Sequence, residues 1–293
     1  MIKTSRQSPA RAASDPAGRR PPGFSLRAGC LAAALGLCAP SASADVLRAR
    51  YSVSLVGLNI GNAAATSLID RARYRITLTA RLSGIAAMIS NMQLALVSTG
   101  GFRKGSVAPQ TYATTAASSR ETRKVRMSLD AGSVRAVDVS PPLDAMDGRI
   151  PVTAANKRNI LDPTSAMIMA VPDGQPLVGP AACNRRIPVY DGYMRFDLAL
   201  SFVATRDVAI RGYAGPVSVC AVRYIPVAGH VLGSRSTRFM ADNREIEVWL
   251  APVERSRVVV PLHVALKTLA GSAVIDAVEF SVEPHGPAPS TTN

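Results

Sequence analysis

Three histidines, His230, His263 and His285, are the side chains best suited to moving a proton near neutral pH, and each lies in a different segment. A nucleophile triad needs Ser or Cys, His and an acid, with the nucleophile on a strained turn such as Gly-x-Ser-x-Gly. No such turn occurs. Gly233-Ser234-Arg235-Ser236 reads as a loop, which leaves His230 with Asp191 as the pair that could complete a hydrolytic site. Glu245 and Glu247 stand two apart on one strand face, the ordinary placing of exposed charges rather than of paired catalytic carboxylates. Catalysis is therefore not expected. Nor is a metal or cofactor, since no His-x-x-x-His or Cys-x-x-Cys spacing is present.

The densest polar cluster is Asp191, Arg195 and Asp197, beside the dipeptide Asp191-Gly192. One reading makes it an anchor for a ligand headgroup, and the other a turn with a cross-strand ion pair beside it. His230, in Val227-Ala228-Gly229-His230-Val231, is a turn histidine bonded to backbone or else a ligand contact. Asp191, Arg195 and His230 are thus the candidate ligand-binding residues. Trp249 fits core or rim packing. Arg120, Glu121, Arg123, Lys124 and Arg126 read as a solvated strand face that an anionic surface would attract.

These residues must be positioned outside the cytoplasm. Arg11, Arg19, Arg20 and Arg27 precede an apolar run over 28–39, followed by Pro40 and Ala42-Ser43-Ala44, the layout of a signal peptide cleaved after Ala44. Arg19-Arg20 is followed by two prolines, unlike a twin-arginine signal, and Leu37 puts a bulky residue before Cys38, unlike a lipoprotein box. The run is too short to span a bilayer. The formal charge of +14 falls to +9 without the six Lys/Arg and one Asp of residues 1–44. An anionic envelope partner or membrane surface suits this balance better than nucleic acid, since the basic residues alternate along strands without aromatic stacking platforms. Loss of Cys30 and Cys38 with the leader leaves Cys183 and Cys220, an even pair in an oxidising compartment. A disulfide is expected, closing a loop that stabilises by about 4 kcal/mol in the chain-entropy model.

Most of the remaining chain alternates with period two. Tyr74, Ile76, Leu78, Ala80 and Leu82 share one face, and Arg75, Thr77, Thr79 and Arg81 the other. Similar strands are read over 46–56, 110–117, 123–129, 133–139, 194–203, 217–227, 236–240, 245–250, 258–269 and 273–282. Gly100-Gly101, Asp191-Gly192, Asp242-Asn243 and other turn signals separate them, as in hairpins and meanders. Ile85 to Met92 carries helical spacing, and Asp162-Pro163 heads a second predicted helix over 162–171, with Asp162 as N-cap and Pro163 at the first position. A single domain over 45–283, with a disordered tail over 284–293, is expected to form one wide, curved antiparallel sheet, because no flexible linker divides it.

Residues 160–230 resemble the bacterial envelope family called domain of unknown function 3108. The likeness rests on Leu161-Asp162-Pro163-Thr164-Ser165-Ala166, Cys183, Val189-Tyr190-Asp191-Gly192, Arg195-Phe196-Asp197-Leu198, Tyr213-Ala214-Gly215, Cys220 and Pro226-Val227-Ala228-Gly229-His230, in that order. Upstream, Tyr51, Leu58-Asn59-Ile60-Gly61-Asn62 and the stretch 101–109 extend it. The resemblance implies an all-β fold of the β-spiral or incomplete-barrel kind, in periplasmic proteins, and supplies no reaction. The expected function is a noncatalytic, monomeric periplasmic protein that supports envelope integrity. It would hold a protein partner or an amphipathic lipid-like molecule against the curved sheet. The rival is a hydrolase or transferase of envelope glycans or lipids using His230 and a carboxylate.

Overall fold

Alternation along the chain becomes alternation of burial wherever a strand has one wet face. In β1 (Ala44–Leu55), Leu47, Ala49 and Tyr51 are buried between exposed Arg48 and Arg50. In β6 (Thr122–Asp130), Val125, Met127 and Leu129 are buried between Lys124, Arg126, Ser128 and Asp130. The computed structural model describes residues 44–103, 105–142 and 148–285. The predicted leader up to residue 43 and the predicted tail beyond 285 lie outside them.

The other strands of the first half are β2 (Leu58–Ile69), β3 (Arg73–Leu82), β4 (Gln93–Arg103), β5 (Ser106–Ala117) and β7 (Ser133–Ser140), with helix α1 (Gly84–Ile89) between β3 and β4. The second half comprises the two-residue β8 (Met169–Ala170), helix α2 (Pro180–Cys183), β9 (Arg185–Tyr190), β10 (Arg195–Ile210) and β11 (Tyr213–Ala228). Helix α3 (Arg235–Asp242), β12 (Ile246–Val253), β13 (Val258–Thr268) and β14 (Gly271–His285) complete it. All pair antiparallel in the order β7-β6-β5-β4-β3-β2-β1-β14-β13-β12-β11-β10-β9, with β8 added beside β13. Every neighbour on that path is a sequence neighbour except one: β1 pairs with β14, from Ala44↔His285 to Leu55↔Ala273. The predicted single curved antiparallel sheet is present, mostly β, with short helices.

The sheet rolls up by two devices. The long β10–β11 hairpin bends until its tip meets β14. There the Phe280 N–H donates to the Arg211 carbonyl (2.9 Å), and Gly212 lies so close that a Cβ would sit 2.5 Å from the Phe280 carbonyl oxygen. The second device is the connection between the halves, which threads the interior. Ile160, Asp162, Thr164, Ser165, Ala166, Ile168, Met169 and Val171 are all buried. Ile160 N–H donates to Gly132 O (3.0 Å), Leu161 N–H to Pro188 O (2.8 Å), and Tyr190 N–H to Leu161 O (2.9 Å), so this segment joins the β6–β7 tip to the free edge of β9. The concave side is therefore filled by the chain's own connection at one end. Towards α1 it opens: Tyr74 and Ile76 are buried, whereas Leu78, Ala80 and Leu82 on the same face are half-buried, as are Leu94 and Leu96 of β4.

Three predicted elements differ. The helix expected over 162–171 is a 3-10 turn, Ser165–Met167, followed by β8, because the segment meets apolar strands on several sides and pairs with Val258 and Val259 instead of coiling. Residues 236–240, expected as a strand, belong to α3, whose N-cap Ser234 accepts a hydrogen bond from Thr237 N–H (3.3 Å). Strand β14 continues through Pro284 and His285, beyond the boundary expected at 283.

Candidate functional site

Asp191 sits in the β9–β10 turn, where its Oδ1 accepts from the amides of Tyr193 (3.0 Å) and Met194 (2.6 Å). Burial pushes its pKa up, against the lowering effect of those backbone bonds. Arg195 donates to Asp197 and to the Phe196 carbonyl (2.5 Å), and Arg186 of β9 reaches the same Asp197 at 2.5 Å. Asp191 thus makes the turn, while the cross-strand ion pair beside it is Arg186 with Asp197, and Arg195 meets the same carboxylate along its own strand. His230 lies at the same end of the ribbon, two residues beyond Ala228, which pairs with Arg195. Its carbonyl accepts from Ile150 N–H (3.0 Å), while its ring Nδ1 is buried with no hydrogen-bond partner. The three predicted residues are near in register, but their polar groups are not hydrogen-bonded to one another.

A different His–acid pair is formed: His263 Nδ1 lies 2.5 Å from Asp276 Oδ1, across β13 and β14. Trp249 stacks on the His263 ring, with centroids 4.3 Å apart, and the Arg206 guanidinium covers the indole at 4.6 Å. Among the described residues no Ser, Thr or Cys is hydrogen-bonded to His263. The acids Glu245 and Glu247 serve Lys267 (2.6 Å) and the Trp249 indole N–H (2.6 Å).

A fully buried carboxylate belongs to the threaded connection. Asp162 accepts from Ser98 Oγ (2.5 Å) on β4, from Ser165 Oγ (2.5 Å), and from the amides of Thr164 (3.0 Å) and Ser165 (2.9 Å). Ser165 in turn meets the Tyr74 hydroxyl at 2.7 Å. Desolvation raises the Asp162 pKa, and these hydrogen bonds pull against it. The bonds to Thr164 and Ser165 are those of the predicted N-cap. The bond to Ser98 and the link through Ser165 to Tyr74 make the same carboxylate a clasp between connection and sheet.

Beside this clasp the roll leaves a cleft of about 520 Å³, bounded by the β4–β5 and β6–β7 tips and by β9. Its floor is apolar, with Ile160, Leu161, Ile168, Met169 and Ile187, and its cations are Arg103, Arg185 and Arg186. Arg185 donates to the carbonyls of Ala170 (2.9 Å) and Ala181 (2.6 Å), has a buried Nε with no partner, and meets no carboxylate. Burial pushes its pKa below the ordinary arginine value. Arg103 feels Asp130, which is already paired with Arg135 at 2.8 Å. The sequence hid this site because Arg103 at the end of β4 and the Arg185-Arg186 pair that opens β9 are brought together only by the roll.

Cys183 and Cys220 form the predicted disulfide, fully buried, with Cα atoms 5.5 Å apart. It ties α2, the last turn of the connection, to β11.

These features define a class of protein: an antiparallel meander rolled around its own connecting segment, with a cationic cleft where strand pairing does not complete the roll. A family model described as protein of unknown function, DUF3108, matches residues 50–278, and the chain belongs to that family. The crystal structure of a β-barrel-like protein of domain of unknown function DUF1849 from Brucella abortus is similar at 9% sequence identity. The match covers 81% of this chain and 98% of that one, with a TM-score of 0.41. No curated protein matches the chain.

Proposed function

We propose that this protein is a noncatalytic envelope component that holds an amphipathic anion, a carboxylate or phosphate carrying an apolar chain, in the cleft beside β9. One observation carries the reading: Arg185 lies in a cleft floored by Ile160, Leu161, Ile168 and Met169, with part of its guanidinium unsatisfied and no acid beside it. A desolvated cation without a counter-charge is costly, and an anionic headgroup supplies the missing partner while its chain covers the apolar floor. Arg186 and Arg195 share the single carboxylate of Asp197, so the neighbourhood stays positive. The predicted leader supports a periplasmic setting, in which holding such a molecule would serve envelope integrity.

The rival site for a protein partner, the free edge of β7, is less suited. That strand carries Arg135 and Asp138 and breaks register with β6 at Ser128/Leu129, features that blunt an edge against strand addition. A hydrolase would have to use His263–Asp276 without a hydroxyl or thiol bonded to the imidazole, or His230 without a bonded acid.

Calorimetric titration with myristate and with lysophosphatidylglycerol tests the reading. Saturable one-to-one binding of either probe is expected, weakened about tenfold or more by Arg103→Gln combined with Arg186→Gln. The carboxylate and phosphate arms tell which headgroup fits. Absence of binding by both, or binding indifferent to the arginines, removes the proposal.

A further inference from the structure

At the end of the roll away from the cleft, three connections meet. The β1–β2 tip packs on the β13–β14 tip: Val56 N–H donates to Ser272 O (2.8 Å), and a Cβ on Gly271 would lie 2.5 Å from Val56 Cγ2. The β3–β4 connection, which contains α1, joins them, with Ser83 N–H donating to Ile60 O (2.9 Å) and Ser83 Oγ to Asn59 Oδ1 (3.2 Å).

The residues of these connections are unusual in two ways. In a chain of formal charge +14, the stretches 52–69, 82–102 and 268–275 contain no Asp, Glu, Lys, Arg or His. Hairpin tips are normally where a soluble protein concentrates polar and charged residues. Here they expose Leu58 (71%), Val56 (64%), Leu269 (52%) and Met92 (49%). The half-buried Leu78, Leu82, Leu94 and Leu96 continue the apolar surface inward. Flanking it on the outer face of the sheet is a saddle of about 770 Å³. It contains Arg50 and Arg81 and no acidic lining residue. Arg81 stands one residue before the end of β3.

We propose that this end of the roll seats on an anionic lipid surface. An apex that reaches past the headgroups to the acyl boundary must carry no charge at its tip, because a charged side chain is disfavoured in hydrocarbon, and must offer apolar side chains there. A cation just behind the apex then meets lipid phosphates, as Arg81 at the end of β3 would. Charge complementarity selects lipid as the occupant: the apex is neutral over all three connections, and the flanking saddle is lined by Arg81, in no ion pair among the described residues, and by Arg50, 3.9 Å from Glu279, with no acid in the lining itself. The cleft beside β9 then faces away from the surface, since Arg103 and Gln93 are at opposite ends of β4.

The test uses the full chain and vesicles of phosphatidylethanolamine and phosphatidylglycerol. In a Trp249→Phe background, single tryptophans are introduced as Leu58→Trp, Leu269→Trp and, as a control on β10, Val203→Trp. Brominated lipid should quench the first two and leave the third unchanged, whatever the leader contributes to overall binding. A second measurement needs no tryptophan replacement: Leu58→Asp with Leu269→Asp should lower vesicle flotation about tenfold or more with the melting temperature unchanged, both side chains being exposed. Equal quenching at all three positions, no quenching at any, or flotation of the aspartate variant like its parent overturns the proposal.

Discussion

The two halves of the sheet solve the problem of a curved surface differently. In β9 to β13 both faces are used: Val248 and Leu250 of β12 face a core sealed by Ala182, Cys183 and Met169, while Ala251 and Val253 face the core shared with β1 and β3. That half curls on itself through the β10–β11 tip and is clipped by the disulfide. In β1 to β7 one face is wet, the inner face of β1 to β3 shares that second core, and β4 is held to the connection by a polar clasp, through Asp162. Apolar sealing with a covalent clip gives a closed half. A polar clasp leaves the other half open at its far end, where an interaction surface can exist.

Removing the clip should have the largest effect. Cys183→Ala is expected to cost about 4 kcal/mol in oxidising buffer, seen as a lower denaturation midpoint, and to differ little from the parent in strong reductant. An equal loss in both conditions would mean that packing, not the bond, holds the C-terminal half. Asp162→Ala orphans the buried Ser98 hydroxyl and two buried amides and leaves Ser165 Oγ with Tyr74 alone, offset by relief of a desolvated carboxylate, for a net loss of about 3 kcal/mol. Hydrogen exchange should place that loss in β3 and β4 and spare β11 and β12; a uniform loss would erase the contrast between halves. Gly212→Ala forces a Cβ against the Phe280 carbonyl at φ +83°, and should cost about 2 kcal/mol by lifting the β10–β11 tip from β14.

The smallest effect is in pH. The folded pKa of Asp191 lies above its unfolded value. Its contribution is therefore complete below the ordinary carboxylate range and is lost as pH rises through the raised value. Asp191→Asn keeps an acceptor for Tyr193 and Met194, and should flatten the fall in melting temperature as pH rises above the ordinary carboxylate range. A parallel profile in the variant would assign that slope elsewhere.

The strands with one wet face and strong alternation, such as β3 and β6, were legible from residue types alone, as were the Asp191 turn and the cysteine pair. Strand β2 escaped because Asn59-Ile60-Gly61-Asn62-Ala63-Ala64-Ala65 is poor in β-branched and aromatic residues, and its order comes from neighbours on both sides. Gly100-Gly101 reads as a turn but lies inside β4. A Cβ at Gly100 would meet the Tyr74 hydroxyl at 2.4 Å, so the glycine makes room for a side chain from the next strand. Asp162 was legible as a cap. Its role as a clasp was not, because Ser98 is 64 positions away and Tyr74 is 91 from Ser165. The cleft was invisible for the same reason, Arg103 being joined to Arg185 and Arg186 only by the roll.

Pairing the first strand with the last gives the chain an unusual schedule. Arg48 waits 235 positions for Glu283, so a chain made from its N-terminus carries β1 as a bare sheet margin until the residues of β14 have been made. At bacterial to eukaryotic synthesis speeds that interval is roughly ten to fifty seconds. A sequence of this kind gains from being kept unfolded until release, and a permuted version that joins residue 285 to residue 44 and opens between 142 and 148 would shorten the wait.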